Sequence, residues 1–183
     1  MKKLYFATTN EGKLSEAQAI LKTEIESIGL EIDEIQSIDN KKVAIEKAKA
    51  YFKEVKKTLF VDDTSLIFNA LKVFPGTYIN DFTKVLGNDG VLSLLKGHKD
   101  RSATAIVTIA YTTNGKDVEV FEGKINGKIA IKPKGTDGHG WDPIFIPKGN
   151  TKTFAQMKMD EKNKYSMRTK ALQKFKKWLD SKN

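Results

Sequence analysis

The sequence predicts an α/β fold on a mixed sheet, and two features point to it. From Lys3 to Val61 short apolar runs alternate with amphipathic helical stretches, and beyond Gly97 the pattern changes to long β stretches parted by a tight turn. With 183 residues, 39% of them hydrophobic, the chain has the size of a single domain, 1–183, that buries a core without covalent staples.

The elements follow in order. Lys3 to Ala7 reads as a strand, and Thr8-Thr9-Asn10-Glu11-Gly12-Lys13 turns it into a helix with Leu14, Ala17, Ile20 and Leu21 inward. Leu30 to Glu34 reads as a second strand, ahead of a helix from about Asn40 to Val55. Leu59-Phe60-Val61 then runs straight into Asp62-Asp63-Thr64. Pro75-Gly76 marks a turn, and Asn88-Asp89-Gly90 starts a short helix through Leu95. Ala103 to Thr112 and Val118 to Ile125 read as antiparallel strands joined at Asn114-Gly115. A Gly-rich loop, Gly135-Thr136-Asp137-Gly138-His139-Gly140, leads to Trp141-Asp142-Pro143 and the apolar run Ile144 to Ile146. A helix from about Asp160 to Leu179 closes the chain.

Composition narrows the chemistry. Cysteine is absent, so metal ligands must come from oxygen or imidazole, which points to hard cations. The amino terminus reads as neither signal peptide nor membrane span, so a cytoplasmic protein with no membrane partner is the expectation. The formal charge of +9 suits a nucleic-acid binder, a membrane-surface protein or an enzyme with polyanionic substrates. Much of the excess lies between Lys162 and Lys182, where lysines alternate with Leu172, Phe175, Trp178 and Leu179 at helical spacing, as on a solvated helix face.

Four segments carry candidate chemistry. The Thr8 to Lys13 loop ends at a helix amino terminus, where unpaired N–H groups and the helix dipole favour anions, and Lys13 could neutralise phosphate oxygens; an ordinary helix cap is the other reading. Asp62 and Asp63 follow an apolar strand at the carboxyl end, where open α/β sheets place ligands, or they merely cap a turn. Strand alternation lets one face a site while the other braces the loop, and Glu34 could add a second oxygen ligand for magnesium. The Gly-rich loop with Trp141 and Asp142 supplies a plane and a carboxylate for gripping a base, although Trp141 could equally be core. Lys162, Lys164 and Arg168 lie near the start of the last helix and could reach a substrate, or be surface charge.

The ordered set of motifs resembles the inosine triphosphate pyrophosphatase family, which removes deaminated purine triphosphates such as ITP, dITP and XTP. It runs through Thr8-x-Asn10-x-x-Lys13, Val61-Asp62-Asp63-Thr64-Ser65-Leu66, Phe74-Pro75-Gly76-x-Tyr78 and Gly138-x-Gly140-Trp141-Asp142-Pro143-Ile144-Phe145-Ile146-Pro147. Lys152-Thr153-Phe154-Ala155, Glu161-Lys162-Asn163 and Ser166-x-Arg168 complete it, so the match covers essentially the whole chain.

The resemblance implies an elongated two-lobed structure with a long mixed twisted sheet, a central nucleotide-binding cleft and a homodimeric assembly. By it, Thr8, Thr9, Asn10, Glu11, Gly12, Lys13 and Lys47 would hold phosphates, and Thr64 would contact substrate. Asp63 would be the catalytic carboxylate, and Glu34 with Asp63 would bind Mg2+. His139, Gly140, Trp141, Asp142, Lys162, Met167 and Arg168 would recognise the base.

Four departures from the family pattern stand out: His139 for an aromatic Phe, Met167 for a His, Thr64-Ser65 for Ser-Gly, and Val43 where many relatives carry an asparagine. Loss of the His donor at Met167 implies weaker reading of the oxygen at position six of the purine. Two other readings compete. One is a related triphosphate pyrophosphatase with altered base preference, for pyrimidine or modified nucleotides. The other is a basic nucleic-acid-binding protein, against which the chain lacks RNP-like aromatics, a zinc module or a recognition helix.

Overall fold

The computed structural model describes residues 3–182. Its elements are β1 (Leu4–Ala7), α1 (Glu11–Leu21), β2 (Ile25–Ile28), α2 (Asn40–Val55), β3 (Leu59–Phe68), β4 (Pro75–Gly76) and α3 (Ile79–Ser93). There follow β5 (Ser102–Thr112), β6 (Val118–Ile129), β7 (Phe145–Pro147), α4 (Met159–Asn163) and α5 (Met167–Asp180). The strands form one mixed seven-stranded sheet in the order β2-β1-β3-β5-β6-β7, with β4 on β3. β1 pairs in parallel with both β2 and β3, whereas β4 on β3 and β7 on β6 are antiparallel. The α/β class with a mixed sheet is therefore as the sequence predicts. Among the described residues no helix is long and apolar enough to cross a membrane.

The chain divides into two compact units. One comprises residues 1–64, 107–123 and 168–183; the other comprises 65–106 and 124–167. In the first, strand alternation sorts side chains between two helix layers. Leu59 and Val61 pack with Ala44, Ala48 and Tyr51 of α2 and with Ala110 of β5. Phe60 faces the other way, stacking on Phe6 at 4.3 Å between ring centroids and meeting Phe175 of α5 at 5.3 Å. Tyr111 and Phe121 extend that aromatic layer onto Phe175 and Trp178, which gives the hydrophobic spacing of α5 its purpose.

In the second unit, buried Trp141, Phe145 and Phe154 form their own aromatic core. Arg101 ties the end of β5 to β6 by donating to the carbonyls of Ile129 and Ala130 at 2.9 and 2.6 Å.

Several boundaries differ from the expectation. The strand expected at Leu30 to Glu34 is not one: β2 lies earlier, at Ile25–Ile28, and residues 29–36 form no regular element. Ile25 is buried, and β1 offers it a parallel ladder, Leu4 opposite Ile25. The extended chain near Leu30 is held instead by the Tyr51 hydroxyl donating to the Leu30 carbonyl at 2.7 Å. β3 continues through the acidic pair to Phe68, so Asp62 and Asp63 stand within a strand rather than after it. Pro75-Gly76, expected as a turn, pairs with β3 after a cis Phe74–Pro75 bond.

The helix expected at Asn88 is the second half of α3, which bends at Gly87, where φ is 67°. The last helix is two, α4 and α5, parted at 164–166. On α1, Ala17 and Leu21 are buried as expected, Leu14 and Ile20 only partly, and Glu16 is buried unexpectedly.

Candidate active site

The first unit gathers one set of predicted residues around two carboxylates. Asn10, in extended conformation, caps α1 by accepting the Lys13 N–H at 3.0 Å, and its own N–H donates to Thr8 Oγ1 at 3.1 Å. That tight loop leaves the first-turn N–H groups of Glu11 and Gly12 outside the helical ladder, as an anion site requires. Thr9 lies exposed on the same loop.

Asp62 and Asp63, being adjacent on β3, point to opposite faces of the sheet. Asp62 enters the layer of α1 and α5. Lys13 Nζ reaches its Oδ1 at 2.9 Å, and Arg168 Nε reaches its Oδ2 at 2.9 Å. Arg168 also contacts Glu16 Oε2 at 3.2 Å, and Thr169 donates to Glu16 Oε1 at 3.3 Å. Burial alone would raise the Asp62 pKa, but the charges of Lys13 and Arg168, with their hydrogen bonds, hold it well below the usual carboxylate range. The same pairing raises Arg168 against the opposing effect of burial.

Asp63 faces α2. The Asn40 carboxamide donates to its Oδ2, and Thr108 of β5 donates in turn to the Asn40 oxygen. Desolvation pushes the Asp63 carboxyl up to about 7; Lys47 and Lys13 pull it down, while Asp62 and Glu34 push it up. Lys47, on α2, holds Glu34 Oε1 at 2.7 Å. Burial works against the Lys47 ammonium, but the bond and charge of Glu34 outweigh it and raise its pKa. The next residue, Thr64, returns to the Asp62 face, and its hydroxyl is buried without a hydrogen-bond partner among the described residues.

The second unit holds the predicted base-recognition loop. Asp142 is buried, and its Oδ2 accepts the His139 N–H at 2.8 Å and Lys162 Nζ at 2.6 Å. Gly138, at φ 84°, leaves room for that carboxylate, since a Cβ there would lie 2.2 Å from Asp142 Oδ2. Gly140 accepts from Asn88 Nδ2 at 3.0 Å. His139 and Gly140 are exposed, while Trp141 and Met167 are buried. Trp141 meets Phe145 edge-on at 5.6 Å, so most of its ring surface serves the core. Lys162 is on α4, over the Phe154 ring at 5.2 Å.

Thus Lys13, Glu34, Lys47 and Asp63 come together in the first unit, with Thr64 on the Asp62 face of the same strand, and His139, Gly140, Trp141, Asp142 and Lys162 come together in the second. Arg168, expected among the base readers, lies in the first unit in contact with Asp62 and Glu16. Glu16, Asn40, Thr108 and Asn88 carry site interactions that the sequence reading passed over. Glu16 and Asn40 sit on charged helices, where polar residues read as solvent-facing, and Thr108 lies in a strand where threonine alternates with apolar residues as an ordinary β-former.

The donor set fits a hard cation. Among the described residues no three His, Cys, Asp or Glu side chains gather as a metal cluster. Glu34 and Asp63 nevertheless lie close enough for the charge of one to act on the other. Magnesium needs only one or two protein carboxylates when substrate phosphates and water complete its shell.

Fold and site define an α/β protein with one carboxylate neutralised by cations and its neighbour left basic within the same interior strand. The chain belongs to the Ham1 family, whose sequence model matches residues 4–178. It is 40% identical over 179 residues to the dITP/XTP pyrophosphatase of Methanopyrus kandleri, covering 96% of this chain and 95% of that protein. It is 43% identical over 182 residues to the inosine triphosphate pyrophosphatase of Aspergillus fumigatus, covering 97% and 95%. The structure of a HAM1 protein from Coxiella burnetii matches with a TM-score of 0.88 at 29% identity, over 99% of this chain and all of that one. The Staphylococcus aureus Ham1 protein matches at 0.86 and 28% identity over the full length of both.

Proposed function

We propose that this protein hydrolyses non-standard purine nucleoside triphosphates, namely ITP, dITP and XTP, to the nucleoside monophosphate and pyrophosphate. The observation that carries the reading is the opposite treatment of two neighbouring carboxylates: Asp62 is saturated by Lys13 and Arg168, while Asp63 is pushed up to about 7. A pair driven apart in this way assigns the proton acceptor to the more basic member. Relatives named for ITP and for dITP and XTP supply the substrate class.

In this reading Asp63 orients a water and takes its proton as the new oxygen–phosphorus bond forms, and the bond between the α and β phosphates breaks with release of pyrophosphate. The first-turn N–H groups of α1, with Thr8, Thr9, Asn10, Glu11, Gly12 and Lys13, hold phosphate oxygens, and Lys47 adds a mobile charge once Glu34 is drawn away. Glu34 and Asp63 would hold Mg2+, which supplies charge neutralisation on the phosphates. Thr64 contacts substrate, its buried hydroxyl being without a partner among the described residues. His139, Gly140, Trp141, Asp142, Lys162 and Met167 take the base, with the buried members backing the exposed ones. A cytoplasmic homodimer is the assembly this reading carries.

A coupled pyrophosphate assay over a panel of triphosphates tests it, with magnesium omitted as a control. Release from ITP and XTP should exceed release from ATP, GTP, dTTP and UTP, by about 5- to 150-fold for each purine contact left unpaired. The reverse order would assign the protein to pyrimidine or modified nucleotides instead, and undiminished turnover without magnesium would remove the metal from the reading. Replacing Met167 by His should raise the ratio of ITP to ATP hydrolysis if a donor at this position reads the base. An unchanged ratio would leave Met167 as packing alone.

A further inference from the structure

We infer that Asn40 and Thr108 form a positioning pair that sets the orientation of Asp63 for catalysis, an inference that rests on Asp63 being the catalytic carboxylate. A carboxamide can present either its NH2 or its oxygen to a neighbour, and the two choices have opposite consequences beside a carboxylate. Asn40 presents its NH2 group to Asp63 Oδ2. The Asp63 carboxylate, which can only accept when ionised, selects the NH2 end, and Thr108 completes the arrangement by donating its hydroxyl to the Asn40 oxygen from the other side. If Asn40 turned over, its oxygen would face the Asp63 carboxylate and that bond would be lost, while the Thr108 hydroxyl would have to rotate from donor to acceptor to meet the turned NH2.

The setting makes this choice rigid. Thr108 is 0% exposed in the middle of β5, and Asn40 is 8% exposed as the first residue of α2. The Asp39 cap, which accepts the N–H groups of Lys41 and Lys42 at 3.0 and 3.2 Å, fixes the backbone that carries Asn40. Asn40 is also the only carboxamide on α2, since one turn further on Val43 is buried and apolar.

Among the described residues Asp63 Oδ1 receives no hydrogen bond, so the pair engages one oxygen and leaves the other without a protein donor. Thr108 itself, sealed between α2 and the sheet, acts only through Asn40. The two residues therefore differ from the phosphate-binding loop, whose groups face solvent.

Four variants test the pair by separating orientation from packing and from binding. Thr108→Val keeps the side-chain shape and removes the hydroxyl; Thr108→Ser keeps the hydroxyl and removes a methyl; Asn40→Ala removes the relay; the double variant combines Asn40→Ala with Thr108→Val. Thr108→Val and Asn40→Ala should each lower kcat by about 10- to 100-fold, the usual range for a misplaced catalytic group, with KM for ITP within about twofold.

Thr108→Ser should stay within about threefold of the parent, and the double variant should be no slower than Asn40→Ala alone, as expected for two members of one chain of hydrogen bonds. Melting temperatures of all four establish that the comparison is between folded proteins, and if Thr108→Val does not fold, Asn40→Ala against Thr108→Ser decides. Parent-like kcat in Thr108→Val or in Asn40→Ala overturns the inference. Equal losses in Thr108→Ser and Thr108→Val, or multiplying losses in the double variant, do the same. Asp63→Asn serves as the reference: if it stays active the catalytic reading itself has failed, whereas an inactive Asp63→Asn beside an active Thr108→Val condemns the pair alone.

Discussion

In the Asp63→Asn protein, pyrophosphate release falls by about 10³-fold or more, while the metal-free protein becomes more stable than the parent above neutral pH. Both results come from one carboxylate. Asn is close in shape and can accept the Asn40 bond through its carbonyl, so the fold keeps its contacts, but it cannot take a proton from water. The stability effect follows from linkage. An unfolded Asp titrates near 4, and desolvation raises folded Asp63 to about 7.

A carboxyl whose pKa is raised by folding binds its proton more tightly in the native state, so it costs the native state nothing at pH 4 and below. The cost grows as pH rises through this window and is complete above about 7. Allowing for the partial exposure of the side chain, its size is on the order of 2 kcal/mol. Melts in EDTA at pH 5 and pH 8.5 should show Asp63→Asn gaining on the parent only at the higher pH. A gap between the two proteins that is the same at both pH values would refute the account of Asp63 as a destabilised base, and undiminished turnover would remove it from the chemistry.

The same carboxylate marks how far the sequence could be read. An apolar strand running into two acids is visible in Leu59 to Asp63, and the period of a strand puts the two acids on opposite faces. What each face holds depends on helices far away in the chain: α1 and α5 bring Lys13 and Arg168 to Asp62, and α2 brings Asn40 to Asp63. No local pattern encodes those meetings. Arg168 shows the limit most clearly, since a cation two residues after Ser166 looks available for a ligand until Glu16 is seen to be buried across from it.

Element type was legible where periodicity is long, as in α2, whose limits Asn40 and Val55 match the expectation. It failed where pattern and pairing part company. Leu30 to Glu34 alternates like a strand but has no ladder to join, whereas the shorter Ile25–Ile28 has β1 beside it. The break between α4 and α5 had a signal, Ser166 just ahead of the helical repeat, that the continuous lysine pattern obscured. In the second unit Trp141 could be read as base platform or core, and its contacts with Phe145 and Phe154 give it a structural duty that no spacing revealed.

The largest loss of stability is expected from Arg168→Met. Arg168 bridges two buried carboxylates, Asp62 and Glu16, and methionine fills similar space without charge. Removing one partner of a buried ionic set leaves the others uncompensated, which typically costs about 3–5 kcal/mol, or roughly 10 °C in a chain of this size. The sign of the pH dependence identifies the cause. Asp62 is held below its unfolded pKa by Lys13 and Arg168 against burial, so it contributes stability that is present above about pH 4 and lost as pH falls through its folded value.

Without Arg168 that contribution shrinks, and Asp62 takes up its proton at higher pH. The deficit of Arg168→Met against the parent should therefore be greatest at pH 7 and narrow as pH falls toward 4. Arg168→Lys should recover only part of it, because one ammonium cannot span two carboxylates as the guanidinium does. Melts at pH 7 and pH 4 decide the matter. If Arg168→Met melts like the parent while its preference for ITP over ATP collapses, Arg168 reads the base and the ion network is incidental. A pH-dependent loss of stability with the preference intact assigns Arg168 to holding Asp62, and leaves recognition of the base to the second unit.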